Sequence, residues 1–235
     1  MSRRRFGCEF EFSASWKKVE TAVRSSVPKS KLEVDQVWLR SEENSKWILK
    51  TDSTTSAELT TPICRPSDLS FVCDVARRLS RHGLYITRRD GFHVHVAALS
   101  NAPLKMAKAW MDYEEAILSM FPAHRRENDM YCKRYVEDGR WIKDEKVTTL
   151  VNDHHAVMSF SRLNTFEFRI CEGTLDPKWV GVWVRLCLAF VGSTGAYKPQ
   201  RRPLSLENLM KRLRVPHRDY LLCMGRKEKF SSWRV

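Results

Sequence analysis

The sequence predicts an α+β fold: a mainly antiparallel sheet with helices packed on one face. Three observations lead there. Short segments alternate apolar and polar residues at every second position, as a strand with one buried face does. Longer segments carry apolar residues at helical spacing. The two kinds follow one another as strands, helix, strand, helix, strands, helix, with strand pairs close enough in sequence to run antiparallel. At 235 residues the chain can bury a sizeable core, and one domain is expected, with a main body over residues 1–200 and a helical, basic extension over 201–235.

The elements follow in order. "RRRFGCEFEF", residues 3–12, sets Phe6, Cys8, Phe10 and Phe12 on one strand face and Arg5, Gly7, Glu9 and Glu11 on the other. "SASWKKVETAVRSSV" has helical spacing through Trp16, Val19, Val23 and Val27, and Pro28 stops it. "DQVWLR", "SKWILKTD" and "SAELTTPIC" read as strands. A helix starts near Pro66, presents Leu69, Val72, Val75, Ala76 and Leu79 on one side, and stops at Gly83. "GFHVHVAAL" is a strand and "APLKMAKAWMDYEEAILSMF" a helix. Residues 122–150 are irregular and charged, and read as a loop-rich lid or insertion. "HAVMSFS" and "NTFEFRICEG" return to strand character, "DPKWVGVWVRLCLAFVGSTG" is the most apolar helix, and "SLENLMKRLR" is a short terminal one.

Composition narrows the classes. No apolar run approaches the roughly 18–20 residues of a membrane span. The opening residues lack the apolar core of a secretory signal. Seven cysteines, scattered and never spaced as CxxC, argue for reduced thiols in a cytoplasmic compartment and against a zinc ribbon or disulfide framework. The net charge of +13 favours polyanionic partners such as nucleotides, nucleic acid or phosphorylated substrates. Its cations are spread through the chain, with small clusters at Arg3–Arg5, "QRRP" and "MKRLR", so a generally basic surface explains it equally well.

Four strand segments carry chemistry at alternate positions: Glu9 and Glu11; Asp52 and Ser53, followed by Glu58; His93 and His95; Glu167 and Arg169. Residues i and i+2 of a strand share a face, so each pair points one way, while Phe10, Val94 and Phe168 face the core. Singly, each pair is ordinary: a solvated edge strand, a turn, a cross-face ion pair. Together on one sheet they would form a concave surface whose carboxylates repel unless cations lie between them. Oxygen-rich ligation with an imidazole suits Mg²⁺ or Mn²⁺ better than structural zinc. An arginine in such a site grips a phosphate or a substrate carboxylate.

In order and separation, "GCEFEF", "LKTDSTTSAELTTP", "GFHVHV" and "NTFEFRICEGTLD" resemble the amidoligase family, carboxylate–amine ligases related to glutamine synthetase, along roughly residues 6 to 190. The resemblance implies a glutamine-synthetase-like catalytic sheet, ATP and two or more divalent cations. It makes Glu9 and Glu11 the E-x-E metal ligands. Glu58 becomes a further acidic ligand with a catalytic part, and Asp52 a candidate ligand beside it, although "TDSTTS" lacks the glycine usual in the family's D-G-S element. His93, after Gly91 and Phe92, matches a metal-binding histidine, and His95 lies nearer the nucleotide phosphates. Glu167 and Arg169 match E-x-R, a metal ligand and a phosphate-binding catalytic arginine. A further nucleotide-binding arginine is expected after the long helix, with Arg125 and Arg126 as candidates. His154 and His155 lie close in sequence to these strands and fit a surface loop equally well.

The reaction implied is attack of a substrate carboxylate on the γ-phosphoryl group of ATP, followed by attack of an amine on the acyl phosphate. The surplus of positive charge exceeds what one ATP needs, so a carboxylate or amine carried on a nucleotide, nucleic acid or peptide stands as a minority alternative to a free small-molecule substrate. A homo-oligomer with shared sites is in keeping with glutamine-synthetase relatives. A metal-dependent hydrolase or nuclease would use the same residue types, and would work without ATP. A non-enzymatic nucleic-acid-binding protein would leave the carboxylates unexplained, because they repel phosphate.

Overall fold

The computed structural model describes residues 4–35, 45–51, 55–98, 103–127, 132–137, 140–161, 163–200 and 202–231. Nine strands and eight α-helices are present among them, in the order β1 (Phe6–Phe12), α1 (Trp16–Ser26), β2 (Leu32–Asp35), β3 (Trp47–Lys50), β4 (Ala57–Thr60), α2 (Leu69–Ser80), β5 (Phe92–Ala97), α3 (Pro103–Leu118), α4 (Ala123–Arg126), β6 (Val136–Glu137), β7 (Arg140–Trp141), α5 (Asp144–Val151), β8 (Met158–Phe160), β9 (Thr165–Phe168), α6 (Pro177–Ser193), α7 (Leu206–Leu213) and α8 (His217–Ser231). Seven strands form one sheet in the order β2-β3-β4-β1-β5-β9-β8. Every pairing in it is antiparallel except β2 with β3.

The alternation of β1 explains its central place. Phe6, Cys8, Phe10 and Phe12 are all buried and face the helices. Phe10 meets Phe92 of β5 at 4.7 Å between ring centroids. On β9, Phe168 packs against Trp110 of α3 and against Trp183 and Phe190 of α6. Trp47 of β3 meets Phe71 of α2 edge-on. The helical layer is therefore an aromatic-rich cover over one sheet face, and most of the folding free energy lies in that apolar burial.

Local signals end the helices. Asp176 accepts from Lys178 N at 2.9 Å and Pro177 opens α6. Gly83, at φ +56°, supplies the left-handed residue after α2. One turn of tighter helix at Pro66–Asp68 precedes α2, whose regular part begins at Leu69.

Three regions differ from the sequence expectation. The irregular stretch 122–150 contains α4, the β6–β7 hairpin and α5. The second strand lies at Leu32–Asp35, whereas most of "DQVWLR" falls outside the described residues. The chain also carries a last helix, α8, after α7. Its apolar pattern is weak and Gly225 interrupts it, so tertiary contacts hold it. Asp219, buried, takes a two-pronged contact from Arg185 of α6 at 2.7 and 2.9 Å, and Cys223 and Phe230 are buried beneath it. None of the seven cysteines is in a disulfide. Among the described residues no helix is long and apolar enough to cross a membrane.

Candidate active site

The sheet face turned away from the aromatic layer is polar, and strand register arranges it in three rows. Lys50, Glu58 and Glu11 lie side by side across β3, β4 and β1. Ile48, Thr60, Glu9 and His93 form the next row. Gly7, His95, Glu167 and Ser159 form the third. Four acidic residues and two histidines expected from the sequence thus meet on one face, with Arg169 one residue beyond β9. Asp52 lies outside the described residues.

The contacts are close. His93 Nδ1 lies 3.2 Å from Glu9 Oε2 and 3.8 Å from Glu167 Oε1, and its Nε2 lies 3.7 Å from Glu11 Oε1. His95 Nε2 lies 3.1 Å from Glu9 and 3.9 Å from Glu167. Arg169 pairs with Glu167, and Lys50 lies 2.9 Å from Glu58. Glu9, His93 and Glu167 each offer one ligand atom, all within 4.8 Å of one another, a grouping that small side-chain movements would close around a single divalent cation.

These groups are also dry: His93, Glu11, Glu58 and Glu167 are 2%, 7%, 6% and 6% exposed. Burial, then the charge of Glu9, pushes Glu58 up to about 8 against the pull of Lys50. Burial works against ionisation of Glu9 too, but His95 and His93 hold it well below the usual carboxylate range. Burial also disfavours charge on His95, yet Glu9 and Glu167 raise it to about 9. Four carboxylates share the face, and Glu58 is the one that burial and the charge of Glu9 push toward its neutral form despite Lys50.

A glycine makes the packing feasible. Gly91 donates its N–H to Glu11 Oε2 at 2.5 Å, and a Cβ there would stand 2.4 Å from His93 Nε2 and 3.1 Å from Glu11. The first position of the G-x-H motif is therefore empty so that the imidazole and the carboxylate can occupy it. Gly91 is held in turn by Glu172, its bridge partner. Glu172 pairs with Arg226 of α8, which donates to the Met120 carbonyl at 3.1 Å and lies over Trp179 at 4.1 Å. Gly173 permits the same close approach, since a Cβ there would meet Ile86 at 2.7 Å and Asp90 at 2.9 Å.

Other expected residues sit elsewhere. Arg125 is buried and donates to the carbonyls of Arg169 and Ile170, so it braces the backbone that carries Arg169. Arg126 reaches the Phe230 carbonyl of α8 at 3.5 Å, and no hydrogen bond or ion pair joins it to the carboxylate face among the described residues. His154 and His155 group with Asp153, whose other oxygen is 2.6 Å from Lys133. Sequence reasoning missed Lys50, Ser159 and Arg226. Alternation through Ile48 and Lys50 was the signal for the first; Arg226, far along the chain, carried none.

For a group of metals and a nucleotide the donor set fits. It offers carboxylate oxygens and imidazole nitrogens for hard cations, and at Arg169 a half-buried guanidinium whose Nε has no hydrogen-bond partner among the described residues.

The sequence model of a family described as "Putative amidoligase enzyme" matches residues 2–140. That span includes Glu9, Glu11, Glu58, His93 and His95; Glu167 and Arg169 lie beyond it. No curated protein matches the sequence. Among solved structures the chain is similar to one described as "Apo GmaS without ligand", with a TM-score of 0.43 and 8% identity, covering 99% of this chain and 70% of that one. With more than half its length matched by the family model, the chain belongs to the amidoligase family and is an enzyme that forms C–N bonds.

Proposed function

We propose that the protein joins a carboxylate to an amine at the expense of ATP, through an acyl phosphate, with divalent cations of the Mg²⁺ or Mn²⁺ class. The observation that carries this reading is the single sheet face on which buried Glu11, Glu58, Glu167 and His93 meet half-buried Glu9 and His95. Such a concentration of carboxylates is costly unless positive charge enters it. Glu9, Glu11, Glu58, His93 and Glu167 would hold the cations, which when bound offset the charge of the triphosphate. His95 stands at the phosphate end.

Arg169 gives its charge to the transferring phosphoryl group, and among the described residues its Nε has no hydrogen-bond partner. The low exposure of the carboxylates supports exclusion of water, which an acyl phosphate requires. Residues 1–200 act as the catalytic unit, to which α7 is joined through Arg212, donating to the Ser193 carbonyl at 3.2 Å, and α8 through Arg226 and Asp219. Seven unpaired thiols support a reducing, cytoplasm-like setting.

Calorimetric titration with ATP, with and without Mg²⁺, on the wild type and on Glu167→Gln tests the proposal. Metal-dependent binding in the wild type that the variant loses is the expected result. Equal affinity in both would overturn the site assignment. Turnover without ATP would replace ligation by metal-dependent hydrolysis.

A further inference from the structure

We infer that the surface formed by residues 77–89 and the first half of α1 binds single-stranded nucleic acid. Arg77, Arg78, Arg81, His82, Arg88 and Arg89 are all exposed, and Tyr85, which falls between them in the sequence, is 68% exposed. No acidic residue occurs from Val75 to Arg89. Lys17 and Lys18 of α1 adjoin the same surface, because Lys18 Nζ donates to the Gly83 carbonyl at 2.8 Å. Between them lies an open recess lined by Ser15, Lys17, Lys18, Thr21 and His82.

The nearby carboxylates are already engaged, Glu20 with Arg24 at 2.8 Å and Asp74 with Arg77. Arg78, Arg81, Arg88 and Arg89 have no ion-pair partner among the described residues. Unbalanced arginines on one surface repel one another and lower their energy by taking up a polyanion. Their planar forks suit phosphate oxygens, and an exposed aromatic ring between them offers a base a stacking platform. A bare phosphate chain would make no use of Tyr85, and a duplex keeps its bases stacked inside.

The surface is tied to the candidate active site. Ser13, directly after β1, donates to Asp90 at 2.7 Å and lies 3.0 Å from Thr87. Asp90 accepts from Thr87 N at 2.5 Å. The loop bearing Arg88 and Arg89 is thereby fixed between the end of β1 that carries Glu11 and the start of β5 that carries His93. A strand lying on this surface would present an attached carboxylate or amine at that end of the site. The presentation rests on the ligase reading; the binding does not.

Fluorescence anisotropy with labelled single-stranded RNA and DNA of about 12 nucleotides, a duplex of equal length and inorganic polyphosphate, over a range of salt, tests the inference. The expected result is tightest binding of the single strands, with log affinity falling against log salt at about 0.7 per phosphate contacted. Replacing both Arg81 and Arg88 by Ala should flatten that slope by about 1.4. Tyr85→Ala should weaken binding roughly 5- to 100-fold without changing the slope. Absence of binding, preference for the duplex, or binding indifferent to Tyr85→Ala and matched by polyphosphate would each overturn it. Metal–nucleotide titration of the same variants should match the wild type. Failure of that titration in the wild type itself counts against the ligase reading and leaves nucleic-acid binding standing.

Discussion

Gly91→Ala is a one-methyl test of the whole site. Its Cβ would lie 2.4 Å from His93 Nε2 and 3.1 Å from both His93 Cδ2 and Glu11 Oε2, where ordinary contact begins near 3.4 Å. The backbone raises no objection, since Gly91 is not among the positive-φ residues. The imidazole must therefore retreat by about 1 Å, in a position only 2% exposed where overpacking costs roughly 1–3 kcal/mol. For a chain of this size that is a fall in Tm of about 2–12 °C. Retreat disturbs the 3.2 Å contact of His93 Nδ1 with Glu9, and misplacing a ligand on this scale costs roughly 10- to 100-fold in metal affinity. Thermal melts and Mg²⁺-dependent nucleotide titration measure both. Gly225→Ala is the control: nothing lies within 4 Å of its added methyl, so it should raise stability by about 0.5–1 kcal/mol and leave titration unchanged. A Gly91→Ala protein that melts and binds as the wild type does would refute the placement of His93.

Further expectations concern other parts of the molecule. Mg²⁺ at a hundredfold its Kd should stabilise the wild type by about 2.7 kcal/mol, and the gain should vanish in Glu167→Gln; an equal gain in both would deny the face its metal. The buried carboxylate of Glu114 accepts from Tyr135 N, Val136 N and Trp110 Nε1. Glu114→Gln turns an amide donor toward one of these and should cost roughly 1–3 kcal/mol in denaturant unfolding, whereas an unchanged midpoint would contradict the contact. Arg226→Met removes both the guanidinium over Trp179 and the partner of Glu172, so stability should fall and metal affinity should fall several-fold more than the stability loss accounts for; a pure stability loss would make the contact merely structural. Mass-spectrometric alkylation should modify Cys73 before the other six thiols, all of which are buried. Earlier reaction at Cys8 or Cys187 would require an opening of the core.

Alternation along a strand depends only on backbone geometry, which is why the sequence alone determined that Glu9 and Glu11, His93 and His95, and Glu167 and Arg169 travel in pairs, with Phe10, Val94 and Phe168 turned to the core. Long apolar periodicity likewise determined α2, α3 and α6. Which pairs become neighbours was a different matter. Only the tertiary structure decided that β1 sits between β4 and β5, that Glu11 faces Glu58 and that His95 faces Glu167, because strand order and register are settled by packing between segments far apart in the chain. The same holds for Arg226, brought to Glu172 from 54 residues away, and for α8, whose own pattern is too weak to predict a helix. Gly91 stands between the two cases. Its motif was legible, but the reason for a glycine appeared only once the His93 ring and the Glu11 carboxylate, joined across two strands, were found in the space a side chain would fill.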